Sequence, residues 1–295
     1  MNAPRAGAGR LPSADAAVSH TVDADAITIH YLAWGSPDAP PLVLLHGGGQ
    51  SAWTWQRVAE RFADRYRVIA PDARGHGDSG WSPDGVYSMD RFRDDLHALV
   101  TQLGIESFVL AGMSMGGMTA LAYGGTYGAT LRGLVVIDIA PEIRPDGRDR
   151  IVGFMTGRSS FANLDEAVEY AHTFNPRRDR DRLRRTLPRN LRTLPDGTLR
   201  WKWDPNFLGN GAAPERDFGM DTLWDAAARV PVPALVVHGA QSDILDPAVG
   251  RRLAQTLPHG RFVTIEGSGH SVQSDNPHDL SEALERFLTQ IGYAS

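Results

Sequence analysis

Short apolar runs alternating with longer amphipathic stretches constrain this chain more than any other feature of it. PLVLLHG (41–47) is apolar on both faces of an extended chain, which marks a strand buried on both sides. RVIAPD (67–72), FVLAG (108–112), LRGLVVIDI (131–139), PALVVHG (233–239) and RFVTIEG (261–267) repeat the theme. AITIHYLAWG (26–35) alternates like a half-exposed strand. Between them, residues 54–65 place Trp55, Val58, Ala59 and Phe62 on one helical stripe. Residues 89–104 do so with Phe92, Leu96, Leu99, Val100 and Leu103, and stop at a glycine. Helical segments at 247–257 and 277–291 complete the set. This alternation predicts an α/β fold, a mostly parallel sheet with helices on both faces.

The rhythm breaks between Pro141 and Asp225, where no buried-strand signature occurs. Residues 141–225 are therefore read as a helical insertion, a lid over an active site, set into a core of residues 18–140 and 226–295. The many arginines of the insertion are interleaved with aspartates and read as a solvated face rather than an anion-attracting funnel. Residues 1–17, rich in Ala, Gly and Pro, are expected to form a disordered tail without the apolar stretch of a secretory signal. No run is long enough to span a bilayer, so neither membrane nor export is expected and the cytoplasm is the default location.

Composition removes several classes of chemistry. The net charge of -5 argues against a nucleic-acid partner. The absence of cysteine excludes thiolate nucleophiles, cysteine zinc sites and iron–sulfur clusters. None of the 10 histidines sits at a zinc-ligand spacing, so no metal is expected. GHGDSG (75–80) has the glycine pattern of a dinucleotide loop, but Pro71 to Arg74 separate it from the strand and WSPDG follows, which cannot open a helix. These glycines are read as shaping a tight loop, and no cofactor is expected. The single lysine, Lys202, lies between Trp201 and Trp203 in a segment that looks like a strand, and is read as a surface residue rather than a Schiff-base former.

The strongest motif is FVLAGMSMGGMTALAY (108–123), in which an apolar strand meets Gly112-Met113-Ser114-Met115-Gly116 and a helical pattern begins at once. This G-x-S-x-G context projects Ser114 Oγ from a sharp turn at the end of a sheet strand. The glycines remove Cβ atoms that would collide there, and the helix N-terminus offers the free N–H of Met115. A serine nucleophile needs a base, and the base needs an orienting acid. His270 follows the strand 261–267 on a glycine-flanked loop and is the expected base, ahead of His46, His238, His259 and His278. Asp243, on the loop after 233–239, is the expected acid, with Asp138 at the end of LVVID and Asp246 before Pro247 as rivals. HGGGQ (46–50) leaves backbone N–H groups unobstructed, so Gly48 and Met115 are expected to form an oxyanion hole.

HGGG, the PDARGHGDS loop (71–79), GMSMGG, VVHGAQSD and GSGH stand in an order and spacing that resemble the α/β-hydrolase superfamily over most of the chain. The resemblance implies the α/β-hydrolase fold and, through Gly48 and Met115, the same oxyanion hole. Serine at the elbow sets the chain apart from branches with a carboxylate nucleophile. The HGGG start also resembles ring-cleavage C–C bond hydrolases, but Met113 stands where those carry asparagine and Gln50 where they carry proline. The expected activity is hydrolysis of a small-molecule carboxylic ester or lactone, medium-sized and largely apolar or aromatic. A C–C bond hydrolase, a cofactor-free dioxygenase or perhydrolase, and a non-catalytic ligand-binding protein remain as alternatives. Trp53, Trp55, Phe154, Phe161 and Trp224 are the expected substrate-binding residues, with Met155, Phe174 and Phe207 as further apolar candidates. A homodimer is one assembly open to it.

Overall fold

The computed structural model describes residues 16–24, 26–208 and 220–293. Most of the expected N-terminal tail thus lies outside the described residues. An eight-stranded sheet is built from β1 (Val18–Ala24), β2 (Ile27–Trp34), β3 (Pro41–Leu45), β4 (Arg67–Pro71), β5 (Phe108–Met113), β6 (Leu131–Ile137), β10 (Ala234–Gly239) and β11 (Gly260–Ile265). Its spatial order is β1-β2-β4-β3-β5-β6-β10-β11. From β4 to β11 neighbouring strands are parallel, while β1 and β2 form an antiparallel edge. The edge strand β1 has no apolar alternation to announce it; its residues are mostly exposed.

The central strands are buried on both faces because each face carries its own layer of helices. In β5, Phe108 and Leu110 join one core with α2 (Met89–Gln102), α3 (Met115–Tyr127) and α8 (Pro247–Thr256). Val109 and Ala111 point the other way, toward α1 (Gln56–Phe62) and α10 (Pro277–Gln290). That is period-two geometry acting on an uninterrupted apolar run.

Between β6 and β10 the chain leaves the sheet. It forms α4 (Pro145–Gly157), α5 (Leu164–Phe174), α6 (Arg180–Thr186) and a small sheet of β7 (Ser160–Phe161), β8 (Leu191–Thr193) and β9 (Leu199–Trp201), ordered β7-β9-β8. These strands are two or three residues long; β7 and β8 left no signal in the sequence, while β9 ends in the strand-like segment around Trp201. Their side chains build a third core around Phe161, Val168, Leu183, Leu191 and Trp201, into which Tyr87, Phe92 and Met115 project from the main body. Helix α7 (Met220–Ala228) begins within the stretch read as insertion, yet it packs on α3, so closely that a Cβ on Gly125 would lie 2.7 Å from Ala226 Cα. A short helix α9 (Val272–Asp275) precedes α10. No helix among the described residues is long and apolar enough to cross a membrane.

Candidate active site

Among the described residues, only two non-glycine residues have positive φ: Ser114 at 54° and Asp138 at 51°. L-residues adopt such backbone only where the surroundings enforce it, and it clusters at functional sites. Ser114 stands between the end of β5 and the start of α3. Its N–H is held by Ile137 O at 3.0 Å and its carbonyl by Met118 N–H at 3.0 Å. The flanking glycines are there because nothing larger fits. A Cβ on Gly112 would lie 2.1 Å from Gly116 O, one on Gly116 2.5 Å from Leu45 O, and one on Gly117 2.5 Å from Ile139 Cγ2. Gly116→Ala is therefore expected to destabilise the protein by about 1–3 kcal/mol, since the contact is with backbone. A denaturant midpoint equal to that of the wild type would show that the elbow has slack.

The Ser114 hydroxyl lies 3.0 Å from His270 Nε2, and His270 Nδ1 lies 2.8 Å from Asp138 Oδ2. The acid expected from the sequence is thus corrected: His270 is joined to Asp138, not Asp243. Asp138 is fully buried at the end of β6. It accepts from Gly239 N–H at 2.8 Å and from the Ser242 hydroxyl at 2.5 Å, so its remaining lone pairs are directed by the β10 loop as well as by His270. Asp243 is occupied elsewhere. Its carboxylate takes a two-pronged ion pair from Arg150 of α4, at 2.6 and 2.8 Å. Burial opposes its charge, but the paired guanidinium outweighs that and holds the Asp243 carboxyl below its usual range. Asp246, the other rival, caps α8 by accepting from Ala248 N–H.

Gly47, Gly48 and Gly49 border the same cavity as Ser114, Met115 and His270. Gly49 has a φ of 70°, which favours glycine, while a Cβ on Gly47 would press on the Met113 thioether at 2.7 Å. Gln50 shapes the turn by accepting from Gly47 N–H at 3.2 Å, and Gln273 donates to the same oxygen at 3.1 Å. Met115 is the first residue of α3, where an N–H has no acceptor within the helix. His46 anchors the loop from below: its Nδ1 contacts Gly47 O at 2.8 Å and its Nε2 accepts from Ala73 N–H at 2.9 Å. Burial pushes the His46 imidazole toward its neutral form. The loop 71–79 turns around Asp72, whose carboxylate lies 2.7 Å from His30 Nδ1 and accepts from the N–H of Ala52 at 2.6 Å and Asp78 at 2.9 Å. Gly77, with φ of 55°, passes so close to Asp72 that a Cβ would lie 2.1 Å from its carboxyl carbon. His30, Asp72 and Asp78 are grouped closely enough for a cation, as are His278, Asp279 and Glu282 on α10, but neither group borders the Ser114 cavity. Lys202 pairs with Asp78 at 2.7 Å.

The cavity has a volume of about 480 Å³. Of the five aromatic residues expected to bind substrate, Phe154 lines it. The other four are corrected. Trp55 is fully buried in the core beneath β3, and Trp53 packs on that core under the Arg189 guanidinium. Phe161 is enclosed in the core of the insertion, and Trp224 packs on the main core beneath Arg252. Closeness in sequence to the glycine loop did not bring Trp53 inward, because the turn at Ala52–Trp55 faces it to the helix layer. Met118, Ile139, Ile143, Ile151, Met155 and Phe207 supply the apolar wall instead.

Sheet order, elbow and hydrogen-bonded triad together define the class. The profile of the alpha/beta hydrolase fold matches residues 40–277, and the chain belongs to that family. It is 32% identical to an esterase of Mycobacterium tuberculosis, over 97% of this chain and 93% of that protein. A solved structure of the M. tuberculosis esterase superimposes with a TM-score of 0.76 at 31% identity, covering 92% of each chain. A 3-oxoadipate enol-lactonase of Acinetobacter baylyi is 25% identical over 92% of this chain and 97% of its own. The structure of E-2-(acetamidomethylene)succinate hydrolase shares the fold, with a TM-score of 0.82 at 24% identity over 93% of this chain and all of that one.

Proposed function

We propose that this protein hydrolyses carboxylic esters or lactones of small molecules through an acyl-enzyme on Ser114. The observation that carries the reading is the unbroken hydrogen-bonded chain from Ser114 Oγ through His270 to Asp138. His270 Nε2 takes the hydroxyl proton as Oγ attacks the carbonyl carbon. The N–H groups of Gly48 and Met115 receive the oxyanion, and each such donor is typically worth about 3 kcal/mol in the transition state. Collapse breaks the ester C–O bond, and His270 gives its proton to the leaving alcohol. Water then gives a proton to His270 and attacks the acyl carbon; the bond from that carbon to Oγ breaks, His270 returns the proton to Ser114 Oγ, and the acid is released. Asp138 holds the imidazole in the tautomer that leaves Nε2 free to accept.

The insertion acts as a lid in this reading. Phe154 and Met155 of α4 and Phe207 border the same cavity as Met113, at the end of β5, and Ser114 of the elbow. A cavity of about 480 Å³ falls in the range of small-molecule sites and suits a medium-sized substrate with an apolar body. The kinship with an esterase over nearly the whole chain supports ester chemistry. Mixing the protein with 4-nitrophenyl butyrate in a stopped-flow instrument tests it. A burst of 4-nitrophenol stoichiometric with enzyme is expected, together with a fluorophosphonate adduct located on Ser114 by peptide mass spectrometry. Absence of turnover, or an adduct on another residue, refutes the proposal.

A further inference from the structure

The cavity beside Ser114 is not uniformly apolar. Arg148, Arg150, Arg177 and Arg178 line it, against two carboxylates, Asp243 and Asp275. Arg150 is satisfied: it holds Asp243 by two bonds and donates its third nitrogen to Phe174 O at 3.2 Å. Arg178 is not. Its Nε is buried without a hydrogen-bond partner. The Asp275 carboxylate comes only to 4.0 Å, and its other oxygen already accepts Gly269 N–H at 3.0 Å. Arg177 lies alongside, with Nη1 donating to Gln241 O at 3.2 Å and lying 2.8 Å from where a Cβ on Gly269 would stand. The cationic cluster therefore sits against the 269–275 segment that carries His270. Burial disfavours the Arg178 cation; the Asp275 carboxylate opposes that, while Arg182 and Arg150 add to it. A cation so placed is stabilised by an anion that arrives with the ligand.

We propose that Arg178, with Arg177 beside it, is a carboxylate-binding subsite of the Ser114 cavity, so that the preferred ester carries a carboxylate group at a distance from the bond that breaks. The inference rests on the ester-hydrolase reading above, and names the substrate class for that site. The apolar wall takes the body of the molecule and the guanidinium fixes its charged end. Charge-assisted hydrogen bonds of this kind are strong and geometrically selective.

The test compares matched substrates. On the acyl side, mono-4-nitrophenyl esters of succinate, glutarate, adipate and pimelate are set against 4-nitrophenyl alkanoates of equal chain length. On the alcohol side, 4-butyryloxybenzoate is set against phenyl butyrate. In at least one series the carboxylate member is expected to have the higher kcat/KM, by about 10- to 100-fold. Arg178→Gln is expected to collapse that ratio toward one, and Arg178→Lys to restore part of it. A ratio at or below one in both series, or a ratio unchanged in Arg178→Gln, overturns the subsite. A second measurement stands apart from catalysis: binding of the uncleavable monoanilides of the same diacids to the Ser114→Ala protein by calorimetry. They are expected to bind more tightly than neutral anilides, and to lose that advantage when Arg178→Gln is added. Tight anilide binding without turnover of any ester refutes the hydrolase reading and leaves the subsite standing. Equal binding of charged and neutral anilides refutes the subsite.

Discussion

Ser114→Ala is expected to lower kcat for an activated ester by about 10⁶-fold, the usual cost of removing a triad nucleophile. The protein should remain folded, with a melting temperature close to that of the wild type. The substitution removes only Oγ, whose hydrogen bond within the protein is the one to His270. Alanine keeps the Cβ and inherits the backbone geometry imposed by Ile137 O and Met118 N–H. Binding of substrate analogues should survive, because the cavity wall is unchanged. Residual activity above about 1% of wild type would place the nucleophile elsewhere, since nothing else in a triad site substitutes for the serine.

Asp138→Asn should cost about 10⁴-fold in kcat, with KM little affected. An amide at this position can donate as well as accept, and so admits the imidazole tautomer that carries a proton on Nε2, where Ser114 needs an acceptor. The substitution also disturbs the bonds from Gly239 N–H and the Ser242 hydroxyl, so some loss of stability is expected alongside. Asp243→Asn is the matched control. It weakens the half-exposed pair with Arg150, and such pairs contribute about 0–1 kcal/mol. Its effect on kcat should be at least 100-fold smaller than that of Asp138→Asn. A larger loss in Asp243→Asn would restore the assignment made from the sequence and overturn the one made from the hydrogen bonds.

The elbow was legible because every requirement it meets is local. Strand, turn and helix follow one another within residues 108–123, and Gly112 and Gly116 mark the close approaches directly. The sheet was legible for a similar reason: uninterrupted apolar runs such as 41–45 and 108–113 imply helices on both faces. His270 could be placed by its position just beyond a strand. Two of the three short strands of the insertion, β7 and β8, were too short to show, and the direction of its arginines was not encoded locally. Charge interleaving along 177–185 describes a solvated face equally well as one with Arg178 turned inward.

The sequence by itself determined the α/β scaffold, the elbow that carries Ser114 and the strand-end place of His270, since each rests on spacing within one segment or on position at a strand end. Only the tertiary structure decided which carboxylate pairs with His270. Strands β6 and β10 run side by side and parallel, with Ile137 opposite Val237, so Asp138 and the loop holding Asp243 emerge at the same edge of the sheet. By position, either could reach His270. The choice is made by groups distant in the chain: Gly239 N–H and Ser242 fix Asp138 toward the imidazole, while Arg150, carried in by α4, withdraws Asp243. The same holds for the pocket aromatics. Whether Trp53 or Phe154 faces the cavity depends on which helix layer each meets, and that is settled by packing across the fold rather than by neighbours in the chain.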